Sequence, residues 1–111
     1  MTNILSELAE VLEERKSSSS EDSYVASLYT EGLDKILDKI NEEAAELIQA
    51  AKEYDHKIKS TEKAVIHETA DLWFHTMVML SHLGLGPEQV LDELKKRFNI
   101  SGLEEKASRQ N

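Results

Sequence analysis

The chain predicts an all-α fold, a four- to five-helix bundle with one long antiparallel helical hairpin, assembled as a homodimer. Three observations carry this. Gly and Pro are scarce, with four and one residues among 111, whereas an all-β chain needs frequent turns. Ala, Leu, Glu and Lys, all good helix formers, dominate. Apolar residues recur at spacings of three and four through most of the chain. The length suits a single domain over residues 1–111, with a modest core that a second copy would enlarge.

Ile4, Leu5, Leu8, Val11 and Leu12 give a first amphipathic helix ending near residue 15. Ser17 to Asp22 reads as a loop, and Ser23 as the cap of a short helix that Gly32 ends. Leu33, Leu37, Ile40, Ala44, Leu47, Ala51 and Tyr54 alternate spacings of four and three, which demands a facing helix. Asp55 to Lys59 is a short polar connection, and Ser60 is the expected cap of a third long helix running to about Leu83. Gly84 and Gly86 stop it, and Pro87 opens a last helix whose expected buried face is Val90, Leu91, Leu94 and Phe98. Residues 100–111 read as an irregular tail.

A formal charge of −9 disfavours nucleic acid and anionic membrane surfaces as partners. Cysteine is absent, so disulfides and thiolate metal sites are excluded. There is neither a signal-peptide pattern at the N-terminus nor an apolar run of membrane-spanning length, so a cytoplasmic protein is expected.

The chemistry lies in two acidic pairs, Glu43 with Glu46 and Glu68 with Asp71, each spaced i, i+3 and therefore adjacent on one helix face. In an antiparallel hairpin turning at residue 57, Glu46 and Glu68 lie eleven residues from the turn, and Glu43 and Asp71 fourteen. Each residue of one pair is thus level with one of the other, the lower level about 12 Å above the connection. Glu43 borders the apolar stripe with Lys39, Glu46 and Ala50 along its flank, whereas Glu42 points away. The third helix is apolar almost all round, with Ile66, Leu72, Trp73, Phe74, Met77, Val78, Met79, Leu80 and Leu83. A helix of that kind is buried, here against a second copy through residues such as Trp73, Met77 and Leu80. Its polar exceptions, Glu68, Asp71, His75 and His82, fall on one strip. Converging buried carboxylates repel and are costly to desolvate; a hard cation, Mg²⁺ or Mn²⁺, resolves both problems with all-oxygen ligands. His75 and His82 read as interior or dimer-seam histidines, although His75 is also placed to touch phosphate. No Gly-rich phosphate loop and no HExxH occurs, and the single Glu-x-x-His (Glu53 to His56) sits at a helix end, unsuited to a di-iron bundle.

Glu42–Glu43–Ala44–Ala45–Glu46 followed by Glu68–Thr69–Ala70–Asp71 resembles the EExxE…ExxD signature of the all-α, MazG-like nucleoside triphosphate pyrophosphohydrolases. Ser23 to Leu28, Gly32 to Leu37, Lys39 to Glu43, Glu68 to His75 and Ser101 to Ala107 narrow the likeness to the phosphoribosyl-ATP pyrophosphohydrolases, over roughly residues 4–109. Asn41 stands where that family is expected to carry Gly.

The resemblance implies cleavage of phosphoribosyl-ATP to phosphoribosyl-AMP and pyrophosphate in histidine biosynthesis, by water attacking the α–β phosphate linkage. Glu43, Glu46, Glu68 and Asp71 would hold the metal. Glu42, or a ligand such as Glu46 acting through water, would orient the nucleophile. Lys39 is a candidate phosphate contact, as are Lys35, Lys52, His75, Lys106 and Arg109. The family works as a homodimer, and with no room here for a fused cyclohydrolase, a separate phosphoribosyl-AMP cyclohydrolase is expected to take the next step. Two rivals stand beside this reading: a housecleaning dUTP or dNTP pyrophosphohydrolase sharing the metal site, and a non-enzymatic helical interaction module.

Overall fold

The computed structural model describes residues 3–100, and among these the chain is all-helical, with no strand. Five α-helices follow in order: α1 (Ile4–Arg15), α2 (Tyr24–Glu31), α3 (Leu33–Glu53), α4 (Lys59–His82) and α5 (Pro87–Lys95). A single π-helical turn, Lys96–Ile100, extends α5, so the helical path reaches one residue into the stretch expected to be irregular. The remainder of that tail, with Lys106 and Arg109, lies outside the described residues.

Local chemistry explains most boundaries. The Asn3 side chain accepts the Leu5 N–H at 2.9 Å and starts α1, and the Ser23 hydroxyl accepts the Ala26 N–H at 3.2 Å and starts α2. Gly32, at φ +97°, lets α2 hand over to α3 without an intervening loop. Gly84, at φ +77°, closes α4, where the Leu85 N–H reaches back to the Leu80 carbonyl at 2.7 Å. The expected cap at Ser60 is not found. Ile58 occupies the N-cap position without a side-chain bond, and α4 begins at Lys59. Thr61 organises the corner instead. Its hydroxyl accepts the Asp55 N–H at 3.0 Å and faces the carbonyls of Asp55 and Ile58, while the Asp55 carboxylate accepts the Lys57 N–H at 2.9 Å. With this local network the cap falls at Ile58, two residues before the expected Ser60.

The core gathers Leu12, Val25, Leu28, Ile36, Met77 and Val78, drawn from α1 to α4, with Leu5, Leu8, Tyr29, Ile40, Phe74 and Leu80 packed around it. The most extensive helix–helix contact is between α3 and α4. The buried face of α3 is not the stripe the apolar pattern suggested. Ile36, Glu43 and Ala50 are its buried positions, whereas Leu37, Ala51 and Tyr54 are exposed. Because α3 packs against α2 as well as α4, the inward direction turns toward Ile36. That rotation carries Glu43 from the edge of the stripe into its centre.

Within one chain the expected burial of the α5 face fails, and α4, expected to be covered in part by a second copy, is left partly open. The α5 face is not covered: Val90, Leu94 and Phe98 are exposed, and Leu91 is half-buried. Nor is α4 enclosed all round, since Ile66 is 62% exposed and Trp73 59%. In both cases the five helices provide no element to lie across the surface. Trp73, Met77 and Leu80 instead line an apolar groove with Leu5, Val90 and Leu94, between α1, α4 and α5. No helix among the described residues is long and apolar enough to cross a membrane.

Candidate metal and phosphate site

The central stretches of α3 and α4 bring carboxylates together. Glu43, Glu46 and Glu68 each offer an oxygen, all within 4.8 Å of one another. Glu46 meets Glu68 closely enough to share a hydrogen bond, as the level placement required, and Glu43 feels the charge of Asp71. Asp71 groups with Glu68 and with His67, whose Nε2 lies 3.2 Å from Asp71 Oδ2. His67 had no sequence signal of its own. It sits one residue before the motif on a largely exposed position, and only the i, i+4 geometry brings it to Asp71.

Glu43 is 6% exposed, and its Oε2 is buried without a hydrogen-bond partner; Oε2 of Glu68 is in the same state. Two orphaned carboxylate oxygens on facing helices form an unusual arrangement, since buried polar atoms are nearly always paired. Burial, and then the neighbouring Glu46 charge, holds the Glu43 carboxyl above its ordinary range. Glu68 is raised too, by burial first and then by its hydrogen bond with Glu46. The donor set, all hard oxygen with two unmet lone-pair sites, fits a divalent cation of the Mg²⁺ or Mn²⁺ type.

Among the described residues, Lys39 is the lysine paired with the cluster. Its Nζ lies 2.9 Å from Glu42 Oε2 and 3.7 Å from Glu43 Oε1. The bond with Glu42 raises the Lys39 pKa and lowers that of Glu42, so both stay charged. Glu42 itself is exposed, within electrostatic reach of His75 and Tyr24, with the exposed Lys35 also lending it positive charge. Lys52, six residues beyond Glu46 and therefore about 9 Å further along α3, is exposed in the last turn and away from the cluster.

His75 is buried, and both of its ring nitrogens are engaged. Nδ1 contacts the Asp71 carbonyl at 2.8 Å, and Nε2 contacts the Tyr24 hydroxyl at 2.9 Å. A phosphate contact by His75 would therefore have to displace one of these two partners. Tyr24, which sequence reasoning did not single out, is the residue of α2 that reaches the site. Burial raises its pKa, the Lys39 charge opposes this, and Glu43, Glu42 and Asp71 add to the rise, so the phenol is within electrostatic reach of all four. Its only signal in the sequence was membership of the Ser23–Leu28 segment.

A helical scaffold that converges carboxylates from two packed helices, with a lysine alongside, offers a donor set that could hold a divalent cation beside a phosphate chain. Residues 5–98 match the family model of phosphoribosyl-ATP pyrophosphohydrolase, and the chain belongs to that family. It is accordingly a hydrolase acting on a pyrophosphate bond, in a family of histidine biosynthesis.

Proposed function

We propose that this protein hydrolyses phosphoribosyl-ATP to phosphoribosyl-AMP and pyrophosphate at a site where Glu43, Glu46, Glu68 and Asp71 hold Mg²⁺. The observation that carries this reading is the pair of buried, partnerless oxygens on Glu43 and Glu68, within a family whose reaction acts on a pyrophosphate linkage. Mg²⁺, or Mn²⁺ in its place, supplies neutralisation of phosphate oxygens and a lowered pKa for bound water. Glu43 and Glu46 from α3 with Glu68 and Asp71 from α4 would hold that cation. Glu46, the most exposed of the three clustered glutamates, would take a proton from the attacking water. Glu42 holds Lys39 at 2.9 Å, and Lys39 exchanges that partner for a substrate phosphate when the nucleotide arrives. Lys35, exposed and within electrostatic reach of Glu42, adds to the local positive charge. The apolar groove containing Trp73, Val90 and Leu94 supports a homodimer as the working form.

The test is pyrophosphate release from phosphoribosyl-ATP against a panel of dUTP, dCTP and ATP, with Mg²⁺ and with EDTA. The expected result is Mg²⁺-dependent cleavage, with kcat/KM at least about a hundredfold higher for phosphoribosyl-ATP, since the second phosphoribosyl group adds polar contacts that a dNTP lacks. Comparable efficiency on a dNTP would transfer the chain to nucleotide housecleaning. Absence of any divalent-ion dependence would remove the metal site.

A further inference from the structure

We infer that Tyr24 is a positioning residue for the carboxylate site, acting through His75. The inference rests on the metal-site reading above but concerns a different pair of residues. The Asp71 carbonyl can only accept, so His75 Nδ1 carries a proton and donates it across 2.8 Å. In the neutral ring Nε2 is then a lone pair, and the Tyr24 hydroxyl donates to it across 2.9 Å. The two rings meet edge to face, with centroids 5.9 Å apart, and Phe74 closes on the imidazole from another side at 5.3 Å. The ring is thus fixed in orientation and in tautomer.

What this fixes is the ground on which two carboxylates stand. His75 lies one turn beyond Asp71 on α4 and is near enough to Glu43 for their charges to interact. While Tyr24 occupies Nε2, the imidazole has no N–H to offer Glu43, and the Glu43 oxygen stays open. Remove the hydroxyl and the imidazole is released. It can then turn or shift its proton and donate to a carboxylate, closing the coordination that a cation needs. Groups that orient ligands from behind in this way typically change metal affinity by ten- to a hundredfold when lost.

A second tyrosine of the same helix provides the control. Tyr29 also ties α2 to α4, its hydroxyl lying 2.9 Å from Ser81 Oγ and 3.2 Å from the Leu12 carbonyl, but none of these groups belongs to the carboxylate cluster. A purely structural role for the two tyrosines predicts similar behaviour from both.

The experiment compares wild type, Tyr24→Phe and Tyr29→Phe as full-length proteins. Mn²⁺ affinity is read by electron paramagnetic resonance, and the His75 ring nitrogens by ¹⁵N NMR of the metal-free state. The expected result is a roughly tenfold weaker Mn²⁺ affinity in Tyr24→Phe alone, with Tyr29→Phe within twofold of wild type. In wild type the His75 proton should reside on Nδ1, and the Nε2 resonance should move in Tyr24→Phe, an observation that needs neither metal nor turnover. Unchanged Mn²⁺ affinity in Tyr24→Phe, an equal loss in Tyr29→Phe, or a wild-type proton on Nε2 would each overturn the proposal. Wild type failing to bind Mn²⁺ while showing the Nδ1 tautomer would instead overturn the metal site on which it rests.

Discussion

Replacing Glu43 by Gln should make the metal-free protein more stable and the metal-loaded protein relatively less so. The substitution keeps the shape, which matters at a position 6% exposed, and removes the charge. Two contributions oppose each other. The amide still leaves a polar atom at the position of Oε2, but it ends the burial of a charge and its repulsion by Glu46, a relief of about 1–3 kcal/mol. Against this stands the attraction of Lys39, 3.7 Å from Oε1. A full ion pair at about that distance is worth ~4 kcal/mol at an effective dielectric of 20. However, the Lys39 side chain is 25% exposed and already engages Glu42, so the share lost is nearer ~1 kcal/mol. The balance favours the Gln variant by roughly 0–2 kcal/mol without metal, or up to about 8 °C in Tm for a domain of this size. Mg²⁺ at a hundred times its Kd should stabilise wild type by about 2.7 kcal/mol, some 10 °C, and the variant by little. The order of melting therefore inverts between EDTA and Mg²⁺. Far-ultraviolet circular dichroism across a Mg²⁺ titration measures this. A variant melting more than about 4 °C below wild type in EDTA, or an equal Mg²⁺ shift in both, would refute the view of Glu43 as a charge awaiting a cation.

Asp71→Asn should abolish turnover while leaving helical content unchanged by circular dichroism, because Asp71 is half-exposed and carries no core packing. The pH dependence has a definite sign. Glu43 and Glu68 are raised above their ordinary value of 4.5, so the folded state holds more protons than the unfolded state between that value and the raised ones. The contribution of these groups to metal-free stability thus falls as pH rises through that window, and Mg²⁺ affinity grows over the same interval as protons leave; a pH-independent Mg²⁺ Kd by calorimetry would contradict both. Light scattering at micromolar concentration should give twice the 12.6 kDa chain mass, and Trp73→Glu should return the single-chain value.

Helix existence could be read from the sequence because it depends on local signals. Ser23, Gly32, Gly84 and Pro87 act through their own backbone neighbours, and each ends or begins a helix where its chemistry says it should. The level placement of Glu46 with Glu68 was readable for the same reason, since a short connection leaves the register of two packed helices little freedom. What failed was direction. The apolar residues of α3 cover more than one face, and periodicity alone averages over the helices that share them. Leu37 and Tyr54 weigh as much in that average as Ile36, yet only Ile36 is enclosed. The misplaced cap at Ser60 has a similar origin, since the bonds of Thr61 to Asp55 and Ile58 depend on how the corner closes.

The same limit explains why Tyr24 and His75 were not seen as a unit. They lie 51 residues apart on helices that are not consecutive, and neither belongs to a spacing rule. An acidic motif, by contrast, announces itself, because placing several carboxylates on a buried seam is a cost that needs a reason. Glu43 shows how the two kinds of information combine. Its type and spacing could be read directly, but its position at the centre of the buried face follows only from the packing of α2 and α4 around α3. That packing strengthens the case for a cation. A border glutamate can relax into water, whereas one sealed at 6% exposure with an oxygen unpaired is relieved only by a proton or a cation. Lys39, a quarter exposed and shared with Glu42, offers only partial compensation. The fold therefore holds Glu43 with an oxygen that no described group of the chain pairs, and the divalent ion proposed above would supply a charge and a ligand preference that match it.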